Sequence, residues 1–336
     1  MPAPADRPAP VALDEWVRAL PFVDEAGGVA LVDLGDGRRD VATSAPAAWP
    51  FATSTVVGLV DGEPGDPDSV PAARWCDVVV DRDDDVVDDI VRTVAEQPVA
   101  ARALVTLLRT APADPLAGLV VESATYSALQ AGPGFAAWRA ARPVRQGRAP
   151  GDAVLLHRAG GALTIVLDRP EVRNALNRTM RDQLVDALRL ASADDSITEV
   201  HLRGAGPSFC AGGDLDEFGS FADPASAHLL RLDRSVGRAL LHVAHRTTAH
   251  LHGHAVGSGI ELPAFASRVV ADPGATFGLP ELSIGLIPGA GGTVSLPRRI
   301  GRHRTARLAL SGEQLDVRRA LAWGLVDEIA PVLAAG

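Results

Sequence analysis

Two glycine-rich turns constrain the fold of this chain more than any other feature of its sequence. Each lies between a strand-like run and a helix-like run: SFCAGGDLDEF at 208–218 and HAVGSGIELPAF at 254–265. Glycine allows a tight turn and a close approach of a ligand to the backbone. The exposed N–H groups and the positive end of the helix dipole then favour an anion. Two such N–H groups converging on one oxygen would form an oxyanion hole, in which each donor lowers a barrier by about 3–4 kcal/mol.

The region around these turns alternates strand and helix, which indicates α/β layers. The apolar patterns predict strands at 162–168, 198–206 and 248–256, and helices at 177–193 and 225–245. Asn177 is a candidate N-cap for the first of these helices, because its side chain can accept from a free backbone N–H. We therefore expect an α/β domain over residues 153–336.

The N-terminal part differs from this region in composition and in the pattern of its apolar residues. Residues 1–27 are rich in Pro and Ala, and we expect a partly disordered tail there. Residues 28–142 are expected to form an α/β segment. Its patterns predict strands at 28–34, 54–62 and 76–81, and helices at 86–97, 98–109, 116–130 and 135–141. A Pro-, Gly- and Arg-rich linker at 143–152 separates this segment from the second domain.

Composition narrows the range of partners. The formal net charge is −10, and all 32 basic residues are arginine. This charge argues against nucleic acid and anionic membranes as partners, so an anionic substrate needs a local positive site. The two cysteines, Cys76 and Cys210, lack zinc-ligand spacing. Without a secretory pattern or a spanning apolar run, we expect a cytoplasmic protein.

Two further segments make the pair of turns a specific indication of one protein family. RPEVRNALN at 169–177 precedes the first turn, and FGLPELSIGLIPGAGGT at 277–293 follows the second. In this order and spacing, the four segments resemble the enoyl-CoA hydratase/isomerase (crotonase) superfamily over roughly residues 160–331. The resemblance implies an α/β crotonase (ClpP-like) β-β-α spiral core, with a small perpendicular sheet and a helical cap that serves oligomerisation.

The resemblance also implies catalytic roles. Gly213 and Ser258 match the two oxyanion donors. Relatives often have glycine where Ser258 stands, but the donor is the backbone N–H, which both residues have. Glu261 and Glu281 match the two hydratase glutamates, and Gly289 matches a backbone position that helps to hold the reacting water. Two carboxyls with pKa values pushed apart can activate water and protonate the α-carbon. We expect Glu261 to act on water and Glu281 on the α-carbon.

Coenzyme A contacts are implied in the same way. The candidate substrate- and CoA-binding residues are Arg173, Ala175, Ala211, Gly212, Asp214, Leu215 and Gly257. Many relatives carry a basic residue where this chain has Asp216. Arginines of the linker or the N-terminal segment could take over contact with the CoA phosphates.

The superfamily's closing helices have a counterpart at an unexpected place. Relatives continue beyond a GLVDEIAP-like sequence in helices that cover the site, whereas here that sequence lies at 324–331, close to Gly336. Residues 86–143 resemble those helices. We therefore expect the helical cap (86–141) to be transposed to the N-terminal side and to pack near the site. The strand-like runs before it are either an added subdomain or a decayed copy of a core sheet.

Several other residues have an ordinary structural interpretation beside a functional one. His252 and His254 lie beside the second turn, where a hydrogen-bonded structural role is favoured over a general base. Cys210 has no nucleophile partner pattern, so packing is favoured. The acidic run at 81–85 lacks calcium-loop spacing and fits a solvated helix start. Two interpretations fit the arginines at 298, 299, 302 and 304 equally well: a solvated or intersubunit surface, or a contact with CoA.

These observations favour an enoyl-CoA hydratase of fatty acid metabolism that needs neither a metal nor a redox cofactor, since CoA is part of its substrate. The resemblance implies a homotrimer or hexamer. One alternative is an enoyl-CoA isomerase or another acyl-CoA reaction of the superfamily. The other is a non-catalytic acyl-CoA-binding or assembly subunit.

Overall fold

The computed structural model describes residues 7–19, 28–35, 52–62, 64–143, 151–220 and 223–334. These residues form three sheets with helices packed between and around them. The sheets have four strands in the order β1-β2-β3-β4, six in the order β13-β10-β8-β7-β6-β5, and three in the order β12-β11-β9. Among the described residues, no helix combines the length and the apolar character needed to cross a membrane.

The four-stranded sheet is parallel and belongs to the N-terminal segment. Its strands are β1 (Val11–Ala12), β2 (Gly28–Gly35), β3 (Ser54–Val60) and β4 (Val78–Asp81). The last three coincide with the predicted strand-like runs. Part of the expected tail is ordered here, as β1 and helix α1 (Leu13–Ala19). The reason is burial, because Leu13 and Trp16 pack on one face of this sheet at 4% and 5% exposure.

Four helices follow the sheet, each close to its predicted position. They are α2 (Val86–Glu96), α3 (Pro98–Arg109), α4 (Pro115–Gln130) and α5 (Pro133–Ala141). Proline stands at the first turn of α3, α4 and α5, where its missing N–H breaks no helical hydrogen bond. Asp114 caps α4 by accepting from the N–H of Leu116 at 3.0 Å. Local chemistry is therefore sufficient to set these boundaries.

The second half carries the six-stranded and three-stranded sheets. Its strands are β5 (Val154–Ala159), β6 (Ala162–Leu167), β7 (Glu199–Gly204), β8 (Thr247–Leu251), β9 (His254–Val256), β10 (Arg268–Ala271), β11 (Thr276–Gly278), β12 (Leu315–Asp316) and β13 (Glu328–Ile329). Its helices are α6 (Arg178–Ala193), α7 (Pro224–Asp233), α8 (Val236–Val243), α9 (Ser258–Glu261), α10 (Gly292–Ile300), α11 (Arg302–Ser311) and α12 (Val317–Trp323). In the six-stranded sheet, every pair is parallel except β5–β6.

Two predicted elements are divided in the structure. The helix expected at 225–245 is two helices, α7 and α8, because Ser235 interrupts it and caps α8 by accepting from the N–H of Arg238 at 3.1 Å. The strand expected at 248–256 is also two, β8 and β9, which lie in different sheets. Gly253 turns the chain between them with φ +56°, and a Cβ there would lie 2.1 Å from the carbonyl oxygen of Pro207.

The N-terminal sheet is packed into the second half on one face. Leu31, Val57 and Val78 join the same buried apolar cluster as the core of residues 153–334, while the opposite face has its own cluster around Trp75. Three arginines make part of the contact between the N-terminal segment and the second half, those at 298, 302 and 304, whereas Arg299 donates to Ala266 O within the second half. Arg302 donates to the carbonyl oxygen of Cys76 at 2.8 Å, and the others also donate to backbone carbonyls. These hydrogen bonds join segments of the chain, an arrangement that neither sequence interpretation included.

A buried ion pair fastens α3 to the N-terminal sheet. Arg109 and Asp77 are 0% and 2% exposed in their side chains, and Nε of Arg109 lies 2.8 Å from Asp77 Oδ1. Arg109 also donates to the carbonyl oxygens of Ala52 and Ser54. Asp77 accepts from the N–H of Val56 at 2.8 Å. These bonds satisfy both charges inside the protein.

Candidate active site

A cavity of about 810 Å³ lies where the two halves of the chain meet. The second half contributes the loop at 213–219, helices α7, α8 and α9, and the loop at 289–291. The N-terminal segment contributes α4 and α5, through residues such as Leu119, Tyr126 and Phe135. The helices that resemble the superfamily's closing helices thus form a wall of this cavity.

Gly213 and Ser258 both line the cavity. Gly213 is held in place by a bridge to Leu176, formed as Leu176 donates to Gly212 O at 2.8 Å and Asp214 donates to Leu176 O at 2.9 Å. Ser258 is the first residue of α9, so its N–H has no intrahelical acceptor. Within the described part of the chain, neither N–H donates to another backbone or side-chain group. Both donors are free for a ligand oxygen.

Glu261 ends helix α9 and is 2% exposed. Its Oε2 accepts from the backbone N–H groups of Ala290 at 2.8 Å and Gly292 at 2.9 Å. Burial and the nearby charges of Glu281 and Glu122 raise the pKa of Glu261 well above its ordinary value, against the opposing effect of those two hydrogen bonds. The loop at 290–292 therefore fixes one oxygen of Glu261 and leaves the other for a ligand or water.

Glu281 begins a 3₁₀ turn that runs to Ile284. Burial raises the pKa of Glu281 to about 7. Its Oε2 is buried and has no hydrogen-bond partner among the described residues. The other oxygen, Oε1, packs so closely on Gly257 that a Cβ there would lie 2.4 Å from it. An unpaired buried carboxyl oxygen is costly when ionised, which favours a protonated Glu281.

A third carboxyl in the cavity was not predicted. Glu122 of α4 is 2% exposed and accepts from Gly291 N at 2.7 Å, Thr293 N at 2.9 Å and Thr293 Oγ1 at 2.7 Å. Burial raises the pKa of Glu122 to about 7, although these hydrogen bonds lower it. A lone glutamate within the apolar run GLVVE was the available signal. Its partners lie about 170 residues away in sequence, so no local pattern could identify them.

Tyr126, one turn beyond Glu122 on α4, packs on the backbone of Gly289. A Cβ on Gly289 would lie 2.4 Å from Cδ2 of the Tyr126 ring, so only glycine fits there. The cavity thus brings three carboxyls and a tyrosine ring together. Since carboxylates that share a desolvated site cannot all ionise near neutral pH, at least one keeps its proton.

The candidate CoA residues divide into two groups. Asp214 lines the cavity and pairs with Arg169 at 3.0 Å. The other candidates lie in the adjoining loops without lining it: Arg173, Ala175, Ala211, Gly212, Leu215 and Gly257. Asn174, which the sequence analysis missed, holds these loops together. It is fully buried, and its Nδ2 donates to three carbonyl oxygens in the first glycine-rich turn and just before it.

Arg142 supplies a basic group beside Asp216. The two pair at 3.1 Å, and the Arg142 guanidinium lies 5.6 Å from the centre of the Trp138 ring. Trp138 in turn contacts Phe218 edge-on, with ring centres 6.3 Å apart. The acidic residue at position 216 is therefore paired with an arginine of the N-terminal segment.

The remaining sequence candidates have structural partners. His252 lies near Gly206 O at 2.9 Å, and His254 lies near Thr276 Oγ1 at 3.0 Å. Cys210 is buried and packs near Gly212 and Ser258. In the acidic run, Asp84 accepts from the N–H of Val86 at 3.0 Å. Over the described ranges, no group of three or more His, Cys, Asp or Glu residues could hold a metal ion.

Comparison with known proteins shows which enzymes this chain resembles. The chain is 37% identical over 179 residues to 2,3-dehydroadipyl-CoA hydratase of Escherichia coli, covering 53% of this chain and 69% of that protein. It is 34% identical to the mitochondrial enoyl-CoA hydratase of Pongo abelii, covering 50% and 57%. An enoyl-CoA hydratase structure from Thermoplasma volcanium matches with a TM-score of 0.50 and 39% identity, covering 54% and 72%. The chain thus spans roughly 57–69% of the length of these curated relatives.

The sequence model of the enoyl-CoA hydratase/isomerase family matches residues 157–334, more than half of the chain. This segment contains both glycine-rich turns, both predicted glutamates and the crotonase core sheets. The residues before it form the N-terminal sheet and the helices α2–α5, of which α4 and α5 line the cavity. The chain therefore belongs to the enoyl-CoA hydratase/isomerase family, the crotonase superfamily.

Proposed function

We propose that this protein is an enoyl-CoA hydratase, which reversibly adds water across the double bond of a trans-2-enoyl-CoA. One observation carries the proposal: a single cavity holds two free backbone N–H groups, on Gly213 and Ser258, and the carboxyls of Glu261 and Glu281. Hydration of a conjugated thioester needs this combination of an oxyanion site, a group that acts on water and a proton donor.

The reaction begins with the thioester carbonyl oxygen between the N–H groups of Gly213 and Ser258. Negative charge develops on that oxygen as water attacks the β-carbon, and the two donors stabilise it. Glu261 acts in its ionised form, which the N–H groups of Ala290 and Gly292 favour against its raised pKa. It orients the water through its other oxygen and takes the water's proton. About half of the Glu281 carboxyls carry a proton at neutral pH because burial raises the pKa of Glu281 to about 7, and the protonated form delivers its proton to the α-carbon.

Retention of both glutamates favours hydration over isomerisation. A double-bond shift needs only one group that moves a proton between two carbons, whereas hydration also needs a group that acts on water. Substrate and water are sufficient for this scheme, so we propose no metal or redox cofactor. Fatty acid degradation in the cytoplasm is the setting we propose for the activity.

Helices α2–α5 serve as the cap of the site in this proposal, transposed to the N-terminal side of the core. Leu119, Tyr126 and Phe135 lie in the cavity wall and support this role. Arg142, next to Asp216, is the arginine we assign to the CoA phosphates. We also propose a trimer or hexamer, since Val99 and Leu116 expose 55% and 46% of their surface on α3 and α4. Analytical ultracentrifugation of the full chain tests this.

Hydration of crotonyl-CoA tests the function directly, followed as loss of absorbance at the conjugated thioester band. We expect turnover in the wild type and a loss of about 100- to 10,000-fold in Glu281→Gln and in Glu261→Gln. Glu199→Gln is the matched control, because Glu199 is exposed on β7 and should retain wild-type activity.

Two other results would each indicate an alternative function. Product analysis that detects a shifted double bond and no hydroxyl would replace hydratase by isomerase. Binding of crotonyl-CoA without turnover, unchanged in the Glu261→Gln and Glu281→Gln double variant, would indicate a non-catalytic acyl-CoA-binding subunit.

A further inference from the structure

Arg231 of α7 lies in the cavity wall and is held only by uncharged groups among the described residues. Its Nε lies 3.2 Å from Ser123 Oγ, and one terminal nitrogen lies 3.2 Å from Gln130 Oε1. The other terminal nitrogen donates to Ser127 Oγ and to the carbonyl oxygen of Ser123 at 3.4 Å. Four of the five N–H groups of the guanidinium are thereby used, and the fifth has no partner in the described structure.

This arrangement differs from that of two other arginines of the cavity wall. Arg234 pairs with Asp186 at 2.9 Å, and Arg181 pairs with Asp182 at 2.8 Å. Arg231 has no carboxylate within ion-pair distance in the described part of the chain. Burial lowers its pKa, and the more distant charge of Glu122 opposes that shift without forming an ion pair. An arginine remains charged in proteins, so a partly buried one without a paired carboxylate is incompletely compensated. A negatively charged ligand in the cavity would provide the compensation.

Arg231 also lies close to the reacting groups. Its guanidinium carbon is 4.9 Å from the centre of the Tyr126 ring. The same ring packs on Gly289, beside the loop that holds Glu261. One aromatic side chain therefore separates Arg231 from the place where the acyl group reacts. The polar partners of Arg231 all come from α4. The candidate CoA contacts come instead from the segments at 173–175 and 211–215, from Gly257 and from Arg142.

We propose that Arg231 binds a carboxylate at the far end of the acyl group, so that the preferred substrates are CoA thioesters of dicarboxylic acids. This inference rests on the proposed function and specifies its substrate class. Arginine suits the role because its planar fork can bind both oxygens of a carboxylate. Ser123 and Gln130 fix the fork toward the cavity, and the net charge of −10 makes such a local cation necessary for an acyl chain that carries a carboxylate.

Binding of unreactive saturated thioesters separates this substrate preference from catalysis. Calorimetry compares adipyl-CoA with hexanoyl-CoA, which differ in the terminal carboxylate, and succinyl- and glutaryl-CoA vary the chain length. We expect the wild type to bind at least one dicarboxylic thioester at least tenfold more tightly than hexanoyl-CoA. Arg231→Gln should weaken that binding by about 10- to 100-fold and change hexanoyl-CoA binding by less than about threefold.

Two further variants keep the experiment interpretable. Arg231→Lys retains the charge and should keep part of the preference, which shows that the site still folds. Arg234→Gln is the matched control, because Arg234 also lines the cavity but is paired with Asp186. It should leave the preference for the dicarboxylic thioester unchanged.

Three other outcomes distinguish a failure of this inference from a failure of the hydratase proposal. If Arg231→Gln weakens adipyl-CoA, hexanoyl-CoA and free CoA equally, the residue contacts a CoA phosphate or only joins α4 to α7. If the wild type hydrates crotonyl-CoA but shows no preference for a carboxylated chain, the inference fails and the hydratase proposal stands. If the wild type discriminates between the saturated thioesters but hydrates no enoyl-CoA, the hydratase proposal fails and the inference stands.

Discussion

Gly292 lies against the carboxyl of Glu261, and this contact predicts a large effect of Gly292→Ala on hydration. A Cβ at position 292 would lie 2.6 Å from Cγ and 2.7 Å from Oε2 of Glu261. Non-bonded carbon atoms approach to about 3.5 Å, so the Glu261 side chain would have to move by about 0.9 Å. The φ of Gly292 is not positive, so the backbone accepts alanine and the effect is confined to this contact.

A displacement of about 1 Å at a catalytic group lowers a rate by about 100-fold, which corresponds to about 2.7 kcal/mol of barrier. We therefore expect kcat for crotonyl-CoA hydration to fall about 100-fold in Gly292→Ala. Overpacking should also lower the free energy of unfolding by about 1–3 kcal/mol. Steady-state kinetics measures the first effect and urea unfolding the second, and circular dichroism verifies that the variant is folded.

Gly278→Ala is the matched control. Its Cβ would lie 3.6 Å and 3.8 Å from its nearest neighbours, which is ordinary contact, so we expect activity within about twofold of wild type. A folded Gly292→Ala variant with near wild-type kcat would refute the reasoning, as would an equal loss in Gly278→Ala.

Three further predictions concern stability and reactivity. Arg109→Leu leaves Asp77 buried without its ion pair and should lower the free energy of unfolding by about 3–5 kcal/mol, measured in urea. Arg82→Leu removes exposed pairs and should change it by no more than about 1 kcal/mol, so equal losses would contradict the argument. Because the pKa of Glu281 rises from 4.5 to about 7 on folding, the folded state keeps a proton that the unfolded chain releases, and stability should fall by about 3 kcal/mol as pH rises across that interval. Glu281→Gln should remove this share of the pH dependence and leave the shares of Glu122 and Glu261, whose pKa values are also raised, so an unchanged slope would count against it. Burial raises the pKa of both cysteine thiols, so a thiol reagent should modify neither in the native protein and both after unfolding, and a fast native reaction would be inconsistent with their burial.

Local sequence was sufficient for much of the N-terminal segment. Helices α3, α4 and α5 begin at Pro98, Pro115 and Pro133, where proline is favoured in a first turn. The parallel strands β2, β3 and β4 follow from short β-branched runs between turn residues. These features depend on neighbours in the chain, so the sequence alone predicts them closely.

The motif segments also predicted which residues share one cavity. Glu261, Glu281, Gly213, Ser258 and Gly289 all line it. Each of these residues lies in a glycine-rich turn or loop with a conformation that its own segment determines. Of the candidate CoA residues, only Asp214 lines the cavity.

Tertiary structure alone decided the rest. Glu122 meets Gly291 and Thr293 across about 170 residues of sequence, and Arg231 meets Ser123 across 108. The apolar pattern predicted one helix at 225–245, but Ser235 divides it into two. The pattern also predicted one strand at 248–256, but the turn at Gly253 divides it into two strands in different sheets. Burial and hydrogen bonding between distant segments set these outcomes, because a side chain's partners depend on which surfaces pack together and not on the residues beside it. The sequence by itself therefore determined the family, the loops and most of the helices, whereas packing decided how the N-terminal helices complete the cavity and which charges they bring into it.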